Sequence, residues 1–195
     1  MHGLINRSIQ SYVSSRFGAE IWKDVICQAG FEFTEFEAML TYDDALTPAL
    51  LDAISDVIAR PRGDLMEDIG TFLVTDPQYE ALRRLLRFGG VNFEDFVHSL
   101  DDLPDRARMA VPDLHLPHIE LRTPHDGQYS LICDAPVAGF GNLLMGVLRV
   151  MADDYGALVL LELVGAGRGA EILSITLIET DFAEGRSFDL GARTG

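Results

Sequence analysis

The chain has 195 residues, 48% of them hydrophobic, a size and apolar content that suit one folded domain with a sizeable core and argue against disorder. Its 31 acidic residues outnumber 15 basic ones for a formal net charge of −16. Without a compensating basic run, such a surface repels phosphate backbones and anionic headgroups, so nucleic acid and membrane surfaces are excluded as partners.

Apolar runs are short. The stretch Ala157 to Val164 is interrupted by Glu162 and falls well short of the roughly 20 residues that cross a bilayer. The opening Met1-His2-Gly3-Leu4-Ile5-Asn6-Arg7 has no charged segment followed by an apolar one and a cleavage site, so a cytoplasmic location is expected. Cys27 and Cys133 sit in apolar surroundings without CxxC spacing; buried, reduced thiols are the expectation for both.

Taken in chain order, the first two thirds read as helices. Ile5, Ile9, Tyr12, Val13 and Phe17 recur at helical spacing before Gly18, and Ile21, Trp22, Val25, Ile26 and Ala29 repeat the pattern up to Gly30. Leu46, Leu50, Ala53, Ile54, Val57 and Ile58 form a third stripe that stops before Pro61. Leu65, Ile69, Phe72 and Leu73 make a fourth, and Tyr79, Leu82, Leu85 and Leu86 a fifth that ends at Gly89-Gly90. Asn92 is an N-cap residue for a further helix whose buried face carries Phe93, Phe96, Val97, Leu100 and Leu103 and projects onto Pro104, where the ring kinks or restarts the helix.

Past the turn-rich stretch from Pro112 to Pro117, Ile119 to Leu121 and Tyr129 to Cys133 read as strands, with Thr123-Pro124-His125-Asp126-Gly127 as the turn between them. Leu143, Leu144, Val147, Leu148 and Met151 mark the last helix. Leu158 to Val164 and Ile172 to Ile178 then form an antiparallel hairpin around Gly165, Gly167 and Gly169. The predicted fold class is α+β: a helical part over residues 1–111 packed on a mixed part over 112–182, whose antiparallel sheet of about four strands contains one intervening helix. Residues 183–195 read as a frayed polar tail.

Catalytic signatures are scarce. No Gly-x-Ser-x-Gly, P-loop, Gly-x-Gly-x-x-Gly after a strand or HExxH occurs, so an enzyme is not expected. The acidic pairs Asp43-Asp44, Asp101-Asp102 and Asp153-Asp154 read as solvated surface, and Cys133 as a small hydrophobe on a strand.

Several strings carry a family resemblance. The opening with glycine at position 3, Trp22 to Gly30, Asp68-Ile69-Gly70-Thr71-Phe72, Phe96 to Pro104, Val111-Pro112-Asp113-Leu114 with Leu116-Pro117, and Gly139-Phe140 with Gly146 occur in an order that resembles the H-NOX (HNOB, haem-nitric-oxide/oxygen-binding) sensor family over nearly the whole chain. The resemblance implies a sensor domain with an apolar pocket between its helical and sheet parts. By position it assigns to that pocket Leu4, Ile5, Phe72, Val97, Leu100 and Pro104, together with Leu116, Pro117, Cys133, Val137, Leu144 and Leu148.

Two departures from the family pattern bear on function. The family's axial haem ligand is the histidine ending a Leu-Asp-x-Leu-His string, because a neutral imidazole supplies the iron bond; the matching residue is Pro104. The Tyr-x-Ser-x-Arg motif that clamps the haem propionates is matched by Cys133-Asp134-Ala135-Pro136-Val137, and no arginine occurs between Arg122 and Arg149, so its charge-assisted pairing is missing. No cofactor and no metal are therefore expected. What the resemblance then implies is a signalling domain that senses another apolar small molecule or acts by protein contact, on a partner such as a histidine kinase or a cyclic-di-GMP enzyme. The alternative is a haem-dependent NO/O2 sensor with a substituted ligand, His98, His115 or His118. On a continuous helix His98 lies roughly 120 degrees away from Pro104, and His115 and His118 belong to the following turn.

Overall fold

The computed structural model describes residues 1–135, 137–167 and 170–186. Four helices open it: α1 (Gly3–Phe17), α2 (Ala19–Ala29), α3 (Leu46–Ile58) and α4 (Arg62–Thr75). A short 3-10 turn leads into α5 (Glu80–Arg87), and α6 (Phe93–His98) and α7 (Leu103–Ala110) follow. Then come β1 (His118–His125), β2 (Gln128–Asp134), α8 (Phe140–Tyr155), β3 (Leu158–Gly167) and β4 (Ala170–Glu179). The four strands form one antiparallel sheet in the order β1-β2-β4-β3, which is the expected α+β architecture.

The helix ends obey local chemistry. His2 starts α1 by accepting the Leu4 N–H on Nδ1 at 3.2 Å, and Asn92 starts α6 by accepting the Asp95 N–H at 2.8 Å. Gly30 closes α2 in the left-handed conformation at φ 69°, its N–H and that of Phe31 returning to Cys27 and Ile26 carbonyls. Helices α4 and α8 cross without room for side chains: a Cβ on Gly70 would overlap the Leu143 carbonyl, and one on Gly146 the Glu67 carbonyl. Glycine at both positions lets the two backbones touch and locks the helical part to the sheet part.

Side chains gather into two cores. One lies among α1–α4 and contains Tyr12, Trp22, Phe36, Leu50, Ile54 and Phe72. The other lies between α5–α8 and the inner sheet face, with Phe93, Phe96, Leu100, Tyr129, Leu131, Leu148 and Leu173. Leu143 packs against both.

Several expectations are corrected. The helix expected to run from Asn92 through Leu103 stops at His98, where the Ser99 hydroxyl turns back to the Phe96 carbonyl at 2.8 Å and the Arg106 guanidinium takes the Ser99 carbonyl at 2.9 Å. Pro104 then serves in the first turn of α7, where a missing N–H costs nothing, so the single-helix angle between His98 and Pro104 does not apply. Strand β1 continues through Thr123 and Pro124 to His125, with a register shift between Arg122 and His125, which shortens the turn to Asp126-Gly127. Cys27 is exposed, because the buried face of α2 is Trp22, Val25 and Ile26. Asp154 is 2% exposed and not solvated, held by Arg83 at 2.8 and 2.5 Å. The tail begins in bonded form, with the Ala183 and Arg186 N–H groups donating to the Gly156 and Asp154 carbonyls; residues 187–195 lie outside those described. Gly165 and Gly167, expected in the hairpin turn, belong to β3, which extends through Gly167, while Gly169 lies outside the described residues.

Candidate functional site

The region where the pocket residues were placed is the junction of α8, the α6–α7 turn and the segment joining β2 to α8. The structure divides those residues between the two cores. Val97, Leu100, Cys133, Leu144 and Leu148 share the sheet core, with Leu116 against its edge, whereas Phe72 belongs to the helical core, with Ile5 and Val137 packed on it. Leu4, Pro104 and Pro117 are half-buried. A side chain lining a wide void keeps accessible surface; Val97, Leu100, Leu144 and Leu148 retain 3% or less and are covered by protein atoms on every side.

At the α6–α7 turn the neighbour of Pro104, Leu103, supplies the buried group at 7% exposure. Across the sheet core, the β2–α8 segment is held from β4: the Glu171 carboxylate accepts the Gly139 and Gly141 N–H groups, each at 2.6 Å. An anion bound to two free amides at a helix start is a strong charge-assisted contact. It fixes the entry to α8 beside Cys133, whose thiol is pushed up to about 12, first by burial and then by the Glu171 charge. Cys133 is thus a protonated core group, a poor nucleophile and a poor metal ligand.

None of the three candidate histidines is buried in the junction core. His98 is exposed, its ring edge-to-face on Tyr129 at 5.4 Å. The buried Tyr129 hydroxyl donates to Glu94 at 2.6 Å, tying α6 to β2, and burial followed by that bond raises its pKa. His115 and His118 are exposed, and the His115 Nδ1 faces the Asp113 carbonyl at 3.0 Å. Among the described residues, no group of three or more His, Cys, Asp or Glu side chains is placed to hold a metal, and no helix is long and apolar enough to cross a membrane. On the outer sheet face, Arg122, Pro124, Ser130, Ile132 and Ile172 line an open groove of about 320 Å³; Arg122 there is paired with Glu120 at 2.8 Å.

Sequence reasoning placed Leu103 and Leu143 on apolar helix faces but did not assign them, or Glu171, to the site. The first two carry the same apolar signal as their neighbours, and only the chain path decides which reaches the junction. Nothing local to Glu171 reveals that it meets a helix start 30 residues earlier.

The haem-NO-binding family pattern matches residues 2–162. The chain belongs to this H-NOX family. Soluble guanylate cyclase 89Da of Drosophila melanogaster is 23% identical over 155 residues, a match covering 80% of this chain and 23% of that protein. Soluble guanylate cyclase gcy-31 of Caenorhabditis elegans is 26% identical over 154 residues, covering 79% of this chain and 22% of that protein; the H-NOX chain thus spans about a quarter of these cyclases. The structure of the Fe(II) unliganded H-NOX protein from K. algicida matches the fold with a TM-score of 0.75 at 19% identity, over 94% of this chain and 100% of that one. The H-NOX fold is that of a signalling sensor domain, and its family cofactor is haem.

Proposed function

We propose that this H-NOX domain signals without haem in the family's ligation and acts by protein contact, its junction closed by its own side chains. The observation that carries the reading is Pro104 at the family's ligand position, in the first turn of α7, beside a core that Val97, Leu100, Leu103 and Leu148 fill. A pyrrolidine ring has no lone pair for iron. Support comes also from the propionate side, where the segment from Cys133 to Val137 contains no arginine and the nearest helix-start amides are already taken by Glu171. These residues do not fit the group.

The domain in this reading is regulatory and not catalytic, and its partner is a signalling protein: a cyclase, by likeness to the relatives' names, or a histidine kinase or cyclic-di-GMP enzyme. The ultraviolet-visible spectrum of protein expressed with haem supply tests it. No Soret band is expected. A Soret band that disappears on replacing His98, His115 or His118 would make the protein a haem gas sensor with a substituted ligand, and a large thermal shift from an apolar molecule would reopen the pocket.

A further inference from the structure

We propose that Phe88 and Val91, with the carboxylates of Asp95, Asp101 and Asp102, form a docking surface for a basic amphipathic segment of a partner protein. Phe88 is 65% and Val91 88% exposed, and they flank Gly89-Gly90 in the α5–α6 connection. That connection is built in, not loose. The Gly90 carbonyl accepts the Tyr155 hydroxyl at 2.9 Å, the Gly89 N–H returns to Leu86 at 2.9 Å, and a Cβ on Gly90 would overlap Asp95 and the Phe96 amide. The backbone between the two exposed apolar residues is therefore fixed beside α6.

Charge selects the occupant. Asp95, Asp101 and Asp102 are exposed, and none has an ion pair among the described residues, whereas Asp105 is met by Arg108 at 3.1 Å. The nearby Arg106 guanidinium points inward, onto the Ser99 and Leu85 carbonyls, and Arg87 lies over the Tyr155 ring at 3.8 Å. Apolar side chains beside uncompensated carboxylates match a segment with apolar residues on one face and lysine or arginine beside them. Another exposed apolar tip, Met39 and Leu40, differs in its charge. Two of its neighbouring carboxylates are ion-paired: Glu35 with Arg7 and Asp44 with the N-terminal ammonium.

This inference rests on the contact reading of the domain but not on the haem question, because its apolar anchors, Phe88 and Val91, lie in the α5–α6 connection, although Asp102 caps the α7 turn that holds Pro104. The test is amide shift mapping of the full chain during titration with a synthetic helical peptide of leucines and lysines, against the same peptide with glutamates for lysines and against zwitterionic phosphatidylcholine vesicles. Shifts should concentrate between Phe88 and Asp102 and weaken with salt. Phe88→Ser and Val91→Ser should each loosen binding about tenfold, and Asp101→Asn with Asp102→Asn should flatten the salt dependence. Both apolar side chains are exposed, so an unchanged circular dichroism spectrum checks that the variants fold. Equal binding of the glutamate peptide, shifts centred on Met39 or spread over the acidic surface, or vesicles moving the same resonances would overturn the proposal. A Soret band with intact mapping would sink only the haem-free reading.

Discussion

Buried polar groups differ between the two cores. Around α1–α4 they are mostly neutral: Asn6 is fully buried and accepts the Thr47 hydroxyl at 2.7 Å, and Gln10 accepts the Phe36 N–H at 2.9 Å, while the Tyr12 hydroxyl makes a longer contact to the Asp68 carboxylate at 3.3 Å. The rest of that core is shape filling by rings, with Phe33 and Tyr42 against Phe36 at 5.0 and 5.1 Å. Around the sheet the corresponding contacts are ionic: Arg83 on Asp154, Glu171 on the α8 amides, Tyr129 on Glu94. Charged contacts fix direction as well as distance, so the helical part is held by filling and the sheet part by clamps. Of the residues read as departures from the family pattern, Cys133 lies in the clamped part and Pro104 follows Leu103 of that core, whereas Val137 packs on the helical core.

The largest effect is expected where the two parts meet. Gly146→Val drives a side chain into the Glu67 carbonyl and should cost more than about 3 kcal/mol, since packed backbones cannot yield as side chains do. Urea unfolding followed by Trp22 fluorescence, a reporter in the helical core, and by far-ultraviolet circular dichroism should show one shared, shifted transition. Separate transitions would show two independent units and break the comparison.

Next come the polar contacts themselves. Asp154→Asn removes the buried carboxylate charge that Arg83 holds and should cost about 2 kcal/mol, below the range for a fully dry pair because Arg83 reaches water. Thr47→Val removes one neutral hydrogen bond in the helical core and should cost about 1 kcal/mol. Denaturant midpoints at constant slope measure both; the reverse order would erase the distinction between clamped and filled.

Much of the fold was legible because its signals are local. The bounds of α3 coincide with its apolar stripe, Leu46 to Ile58, and the strand alternation of β2 places Tyr129, Leu131 and Cys133 inward. The loop from Phe31 to Tyr42, whose rings pack on Trp22 and on one another, has no period to read. The α6–α7 break was hidden for another reason: apolar residues at 93, 96, 97, 100 and 103 satisfy a helix, and the competing bonds come from Arg106 further along. Of the junction, the residue types were visible; their division between two cores depends on the α4–α8 crossing, which two glycines permit but do not announce.

A smaller effect separates the two cysteines. A thiol reagent should modify exposed Cys27 quickly and Cys133 only on unfolding. In the folded chain the Cys133 thiol is raised from 9.0 to about 12, so the unfolded chain loses that proton first. The stability it contributes is whole below about pH 9 and declines as pH climbs toward about 12. Cys133→Ala should flatten that alkaline decline.

The smallest expected change is the most informative about the clamped part. Pro104→His restores an imidazole at the family's ligand position, and stability should move by less than about 1 kcal/mol, because that first-turn site of α7 accepts residues other than proline. No Soret band should follow. One ligand leaves Leu100 and Leu103 where they are, packed in the sheet core, and opening that core would forfeit burial at about 25 cal/mol per Å². It also supplies no guanidinium between Arg122 and Arg149 that would pair with a porphyrin's carboxylates. A Soret band from the single substitution would mean that these side chains give way to a porphyrin, and that the clamps hold the shape of the sheet part without holding its core shut.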